Sequence, residues 1–281
     1  VTGVQTCALP ILEARISEAR IQAFYLDHLD SAVTTLGLLI ENPRAAAVIR
    51  ARAKLELGDI YLIKSEYWES TLLYSQVEKM QKDNPVGHEA KFRNAKLYYF
   101  KGDFRLAEEH LDVLKQATSR EISNDAIDLS LRIKENTMPD TLGQALAVYA
   151  AAELLLQQNK STDALALLSV LHSKTNEASV PVGVAAEWLK GKGYQEANRT
   201  KDTVRFTMPD GFQTPTIRDD VYWLEAKIIR KQGQPDAALK LLQRIGVLLG
   251  FACIASAADK PNVVFFLIDG GAFKSRSQPS R

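Results

Sequence analysis

Apolar residues return every three to four positions through most of residues 12–245, while strict alternation is scarce. That spacing predicts amphipathic helices, each with one face turned toward a core. The helices also recur as a unit. KLELGDIYLIKSEYWESTLLYSQV carries Gly58, Tyr61, a turn at Lys64-Ser65, then Tyr67, Ser70 and Tyr74. KFRNAKLYYFKGDFRLAEEHLDVL carries Ala95, Tyr98, Gly102, Phe104, Ala107 and Leu111 at the same offsets, 37 residues on. Two further copies keep the internal spacing, with Ala152, Leu155, Asn159, Ala164 and Leu168 in one, and Ala226, Ile229, Gly233, Ala238 and Leu242 in the other. A degenerate leading copy is marked by Tyr25, Ala32 and Leu39.

The residue types have a physical reading. Gly58, Ala95, Ala152 and Ala226 are small where two antiparallel helices cross closely, and Ala107, Ala164 and Ala238 are small on the answering helix. Tyr61, Tyr74, Tyr98, Leu111 and Leu242 are the larger side chains that fill the space between units. Gly102, Asn159 and Gly233 tolerate the left-handed conformation that ends a helix. The pattern resembles the tetratricopeptide repeat, and looks closest to such proteins from Bacteroidota-type bacteria. The aromatic that usually opens the first helix is replaced by Lys54, Lys91 and Val148, with Tyr222 keeping it. The resemblance implies an all-α fold, an α-solenoid of helical hairpins over residues 12–246. Its units are expected near 13–46, 51–84, 88–118, 145–173 and 219–246.

Two spacers interrupt the repeat. In the first, Ile122, Ala126, Leu129 and Ile133 predict an extra helix, with Ser123-Asn124-Asp125 offering its N-cap. Pro139-Asp140 is expected to start the helix that follows, since Pro suits a first turn. In the second, VAAEWLKGKGY reads as a short helix ended by Gly191 and Gly193. Two extended arms then flank Pro209-Asp210-Gly211, either a β-hairpin within 203–217 or a long surface loop, with Pro215 weakening the second arm as a strand.

Composition narrows the function. Thirty-five Lys and Arg against 34 Asp and Glu leave no basic excess to draw nucleic acid. Cys7 and Cys253 make neither a disulfide framework nor a four-ligand metal site. His28, His88, His110 and His172 lack H-E-x-x-H spacing, and no phosphate-binding loop or nucleophile elbow occurs. No catalytic residue, metal or cofactor is assigned, and no membrane span is expected. What remains is a surface. In a stacked array the first helix of each hairpin lines the concave side. The stripe beside its packing face carries Arg52, Asp59, Phe92, Lys96, Tyr99, Tyr149, Glu153, Trp223, Lys227 and Arg230. Aromatics mixed with both charge signs suit a peptide or protein partner. The competing reading is that Phe92, Tyr149 and Trp223 pack against neighbouring hairpins. A structural part in a bacterial envelope-assembly or secretion complex is the alternative use of the same groove.

The ends read differently. VTGVQTCALPI, residues 1–11, resembles a translated sequencing-library adapter and is expected to lie outside the fold. IGVLLGFACIASAA has the shape of a signal-peptide core with a small-residue cleavage site. KPNVVFFLID then resembles the first core strand of sulfatases, with Asp269 at a metal-binding position and Gly270 where a second Asp is usual. SQPSR resembles their nucleophile signature. Residues 247–281 are too few to build that enzyme, so this stretch is expected to be a foreign fragment without activity.

Overall fold

A computed structural model describes residues 3–82, 84–116, 120–138, 143–172, 177–181, 189, 194–207 and 217–248. The chain divides into two compact units, Val1–Val221 and Tyr222–Arg281. In the first unit, four hairpins follow one another. They are α1 (Gly3–Phe24) with α2 (Leu29–Glu41), α3 (Ala47–Ile63) with α4 (Tyr67–Met80), α5 (Pro85–Lys101) with α6 (Phe104–Lys115), and α8 (Gln144–Gln157) with α9 (Ser161–Leu171). The extra helix α7 (Arg120–Thr137) stands between the third and fourth. A fifth hairpin is formed by α10 (Arg218–Lys231), which begins in the first unit, and α11 (Pro235–Leu248). The described residues therefore form the helical-hairpin array that the periodicity predicts. Among them, no helix is long and apolar enough to cross a membrane.

Close crossing within a hairpin is visible at Gly58, where an added Cβ would overlap the Tyr74 ring. The Ser70 hydroxyl, also buried, donates to the Gly58 carbonyl at 2.8 Å, so α3 and α4 touch backbone to side chain. Ala95 and Ala107 are fully buried at the corresponding places of the next hairpin, as are Ala152 and Ala164 in the fourth. First helices pack on first helices: α1 on α3, α3 on α5, and α5 on α8. Turn residues behave as their chemistry requires, with Gly102 at φ 79°, Asn159 at φ 59° and Gly233 at φ 79°. Ser65 and Asp27 also adopt positive φ, at 63° and 58°, although neither is a glycine.

Several boundaries differ from expectation. Helix α1 is continuous from Gly3 and contains Pro10, so the helical region starts before residue 12. Helix α7 starts at Arg120, which places Ser123 inside it rather than at its cap; the Ser123 hydroxyl donates to the Lys115 carbonyl at 3.3 Å. Its predicted apolar stripe is correct, with Ala126, Leu129 and Ile133 buried. Helix α8 is described from Gln144, after Gly143 at φ 60°; Pro139-Asp140, expected to start it, lie outside the described residues.

The second spacer holds a small antiparallel sheet, β1 (Glu177–Pro181), β2 (Gln195–Arg199) and β3 (Thr203–Thr207), in the order β1-β3-β2. Val204 and Phe206 are buried and Thr203 and Arg205 exposed, the two-residue period of a half-buried strand. The first predicted arm is thus β3, but it pairs with β2 and β1. The β2–β3 turn is closed by Thr200 N–H to the Thr203 carbonyl, 2.8 Å, and Thr203 N–H to the Thr200 hydroxyl, 3.0 Å. The turn at 209–211, the second arm and most of the short helix expected over 184–194 lie outside the described residues, as do residues 249–281.

Candidate binding cleft

The first helices of the first unit enclose a cleft of about 260 Å³. Helix α5 supplies Glu89, Phe92, Arg93, Lys96 and Phe100, which share one helical stripe. Arg20 and Phe24 come from α1, Asp59 and Leu62 from α3, Tyr74 from α4 and Gln157 from α8. Their order along the helices gives the cleft two levels. Phe24, Leu62, Phe100 and Gln157 lie in the last turns of α1, α3, α5 and α8, and make a mainly apolar floor. Arg20, Asp59, Glu89, Arg93 and Lys96 lie earlier in their helices and make a charged collar.

One guanidinium organises the collar. Arg93 donates to Asp59 at 2.6 Å, to Glu56 at 3.2 Å and to Glu89 at 2.9 Å. The Tyr74 hydroxyl donates to the other Asp59 oxygen at 2.6 Å. Three carboxylates therefore share one arginine in a half-buried setting. Burial pushes the Asp59 carboxyl up to about 6, against the pull of Arg93, with the Glu56 charge adding to the rise. Burial would lower Arg93, but Asp59, Glu56 and Glu89 together hold its proton above the usual range. Burial also raises the Tyr74 hydroxyl, and the Asp59 charge beside it adds to that.

A second cluster joins α5, α7 and α8. The Tyr99 hydroxyl donates to Glu153 at 2.8 Å, Arg132 pairs with Glu153 at 3.5 Å, and the Arg132 guanidinium lies 5.7 Å from the Tyr149 ring centre. Burial raises Glu153, opposed by Arg132 and by the Tyr99 hydrogen bond. Lys96 feels both Asp59 and Glu153 and lies 5.8 Å from the Phe100 ring centre. Among the described residues, neither Lys96 nor Arg20 has a carboxylate within salt-bridge distance.

The sequence-derived stripe is thus distributed unevenly. Asp59, Phe92 and Lys96 meet in the cleft. Tyr99 and Tyr149 are buried between helices, and Glu153 joins them there through its hydrogen bond and ion pair. Arg52 is exposed and pairs with Glu13 of α1 at 2.9 Å. Trp223, Lys227 and Arg230 stand exposed on α10, in the second unit. Sequence reasoning did not select Arg20, Phe24, Leu62, Glu89, Arg93, Phe100 or Gln157. Arg93 had a readable signal: it stands 37 residues after Glu56, the same interval that separates Lys96 from Asp59. Opposite charges at one repeat position of adjacent hairpins can meet: Glu56 and Arg93 pair, while Asp59 and Lys96 interact only beyond ion-pair distance.

No protein-family model matches the chain, and no curated protein matches it. Similar solved structures include one from Podosopora anserina described as a kinesin light chain with nearly identical TPR-like repeats. It is 14% identical, with a TM-score of 0.36, and the match covers 89% of this chain and 97% of that one. A single-substitution variant of the same protein is 15% identical, with a TM-score of 0.35, covering 84% and 93% respectively.

Proposed function

We propose that the first unit is a non-catalytic scaffold that seats a segment of a protein partner in the cleft. The observation that carries this reading is the two-level lining: an apolar floor beneath a collar in which Asp59 and Glu89 are already committed to Arg93, while Arg20 and Lys96 make no direct ion pair among the described residues and keep their donors for an incoming carboxylate. Such a site suits a segment that inserts one apolar or aromatic side chain and carries a carboxylate beside it. Aromatic walls supply most of the binding energy in sites of this kind, and the charges set register and rate of encounter. The perturbed groups, Asp59 and Glu153, are held by Arg93 and Arg132, which is the arrangement of structural ion pairs as much as of reactive ones.

Selection of displayed random twelve-residue peptides against the purified chain tests the proposal. Enriched peptides are expected to carry an aromatic or aliphatic residue next to Asp or Glu. Phe92→Ala should weaken their binding roughly tenfold or more, about 1–2 kcal/mol for losing a partly buried aromatic contact. Trp68→Ala, at an exposed position outside the cleft, should leave binding unchanged. Enriched peptides that bind Phe92→Ala as tightly as the parent chain would remove the cleft from the function.

A further inference from the structure

Repeat arrays are held together by contacts between neighbouring units, and a unit ordinarily does not touch the one two places away. The α8–α9 turn departs from that rule. The Gln158 side-chain amide donates to the carbonyl of Ile63 at 3.0 Å and to the Ser65 hydroxyl at 3.3 Å. The Asn159 side-chain amide donates to the carbonyl of Phe24 at 3.2 Å. Ile63 and Phe24 are the last residues of α3 and α1, so their carbonyls belong to the group that a helix leaves without an internal partner. Two adjacent side chains of the fourth hairpin thereby satisfy the helix ends of the second and the first. Ser65 also holds φ 63°, a conformation that a serine rarely adopts and that persists where surrounding contacts fix it, opposite Asn159 at φ 59°, which an asparagine tolerates.

We infer that the α8–α9 turn is a releasable clasp that seals the floor of the cleft. The joined turns lie at the ends of the helices that supply Phe24, Leu62 and Gln157 to that floor. With the clasp closed, α1, α3, α5 and α8 form a continuous circuit around the cleft; with it released, α8 stays anchored to α5 through Tyr99 and Glu153, α3 and α4 keep their packing and ion pairs on α5, and the ends of α1 and α3 part from the α8–α9 turn. The fastening consists of a few exposed or half-exposed amide hydrogen bonds, so the open form is within thermal reach. The inference deepens the cleft reading and rests on it only for what the clasp governs.

The test measures the clasp without any partner, so its failure is separate from failure of peptide binding. Spin labels are placed on Glu69→Cys and Thr162→Cys, two exposed positions next to the joined turns, in a chain carrying Cys7→Ser and Cys253→Ser. Pulsed dipolar spectroscopy should give one narrow distance for this chain. Gln158→Ala with Asn159→Gly removes both amides while glycine keeps the positive φ, and should add a longer, broader component, increasing the open population about tenfold. Unchanged distances in the double variant, with helical circular dichroism retained, would overturn the clasp. Should the double variant lose helicity, Gln158→Glu decides in its place: it keeps the side-chain size, loses the donor, and must also show the longer component.

Discussion

At the scale of single residues, small side chains are interchangeable only where space allows, and two glycines separate the cases. Gly58 lies against the Tyr74 ring, and that ring is fully buried and held by its hydrogen bond to Asp59. Gly58→Ala gains about 0.5–1 kcal/mol of helix propensity but overpacks the crossing by about 1–3 kcal/mol. Urea denaturation is expected to show net destabilisation of about 1–2 kcal/mol. Gly37, inside α2, has nothing within 4 Å of an added Cβ, and Gly37→Ala should be stabilising. The reverse order of the two variants would mean that Tyr74 does not set the α3–α4 distance.

Asp59 makes a separate prediction because its titration is displaced. Its carboxyl sits near 3.8 in an unfolded chain and is raised to about 6 in the fold, chiefly by burial, with Glu56 assisting and Arg93, Tyr74 and Lys96 opposing. Between those values the folded chain holds a proton that the unfolded chain has released. Stability from this group is therefore fully present below pH 4 and is lost as pH rises through about 6. Asp59→Asn cannot titrate, so its melting temperature should change less between pH 4.5 and 6.5 than that of the parent chain. An identical slope in both would place the titration elsewhere.

At the scale of elements, helix periodicity was legible because each hairpin buries one face, and the small residues at 58, 95, 107, 152 and 164 fall where helices cross. The extra helix α7 was legible for the same reason, through Ala126, Leu129 and Ile133. Its start was not, since Ser, Asn and Asp read as a cap from local chemistry alone, while the structure uses Ser123 to bond the end of α6. Gly143 shows the same limit, because its positive φ and its place against the Phe104 ring depend on tertiary packing. The sheet was half legible: the burial alternation of Val204 and Phe206 is local, whereas pairing β3 with β1 spans a spacer that no sequence period describes. Part of the cleft was visible, through Asp59, Phe92 and Lys96. Arg20, Phe24 and Gln157 were not, because nothing local says that α1 and α8, three hairpins apart, face one another.

At the scale of the first unit, that meeting of distant helices bears on how the array unfolds. An open array loses its terminal hairpins first, because each is held on one side, and protection from hydrogen exchange then grades from the ends to the middle. Here the end of α8 reaches the ends of α1 and α3, and the first hairpin also packs Ala19, Ala23 and Leu36 into one core with Ile60 of α3. The first hairpin is consequently held from two directions. Native-state hydrogen exchange should give central amides of α1, α3, α5 and α8 a common opening free energy. Release of the clasp by Gln158→Ala with Asn159→Gly should restore the gradient, with α1 and α2 exchanging faster while α8 keeps its protection through α5. A gradient already present in the parent chain would show that the first hairpin gains nothing from the fourth, and that the contacts at Phe24 and Ile63 are too weak to couple them.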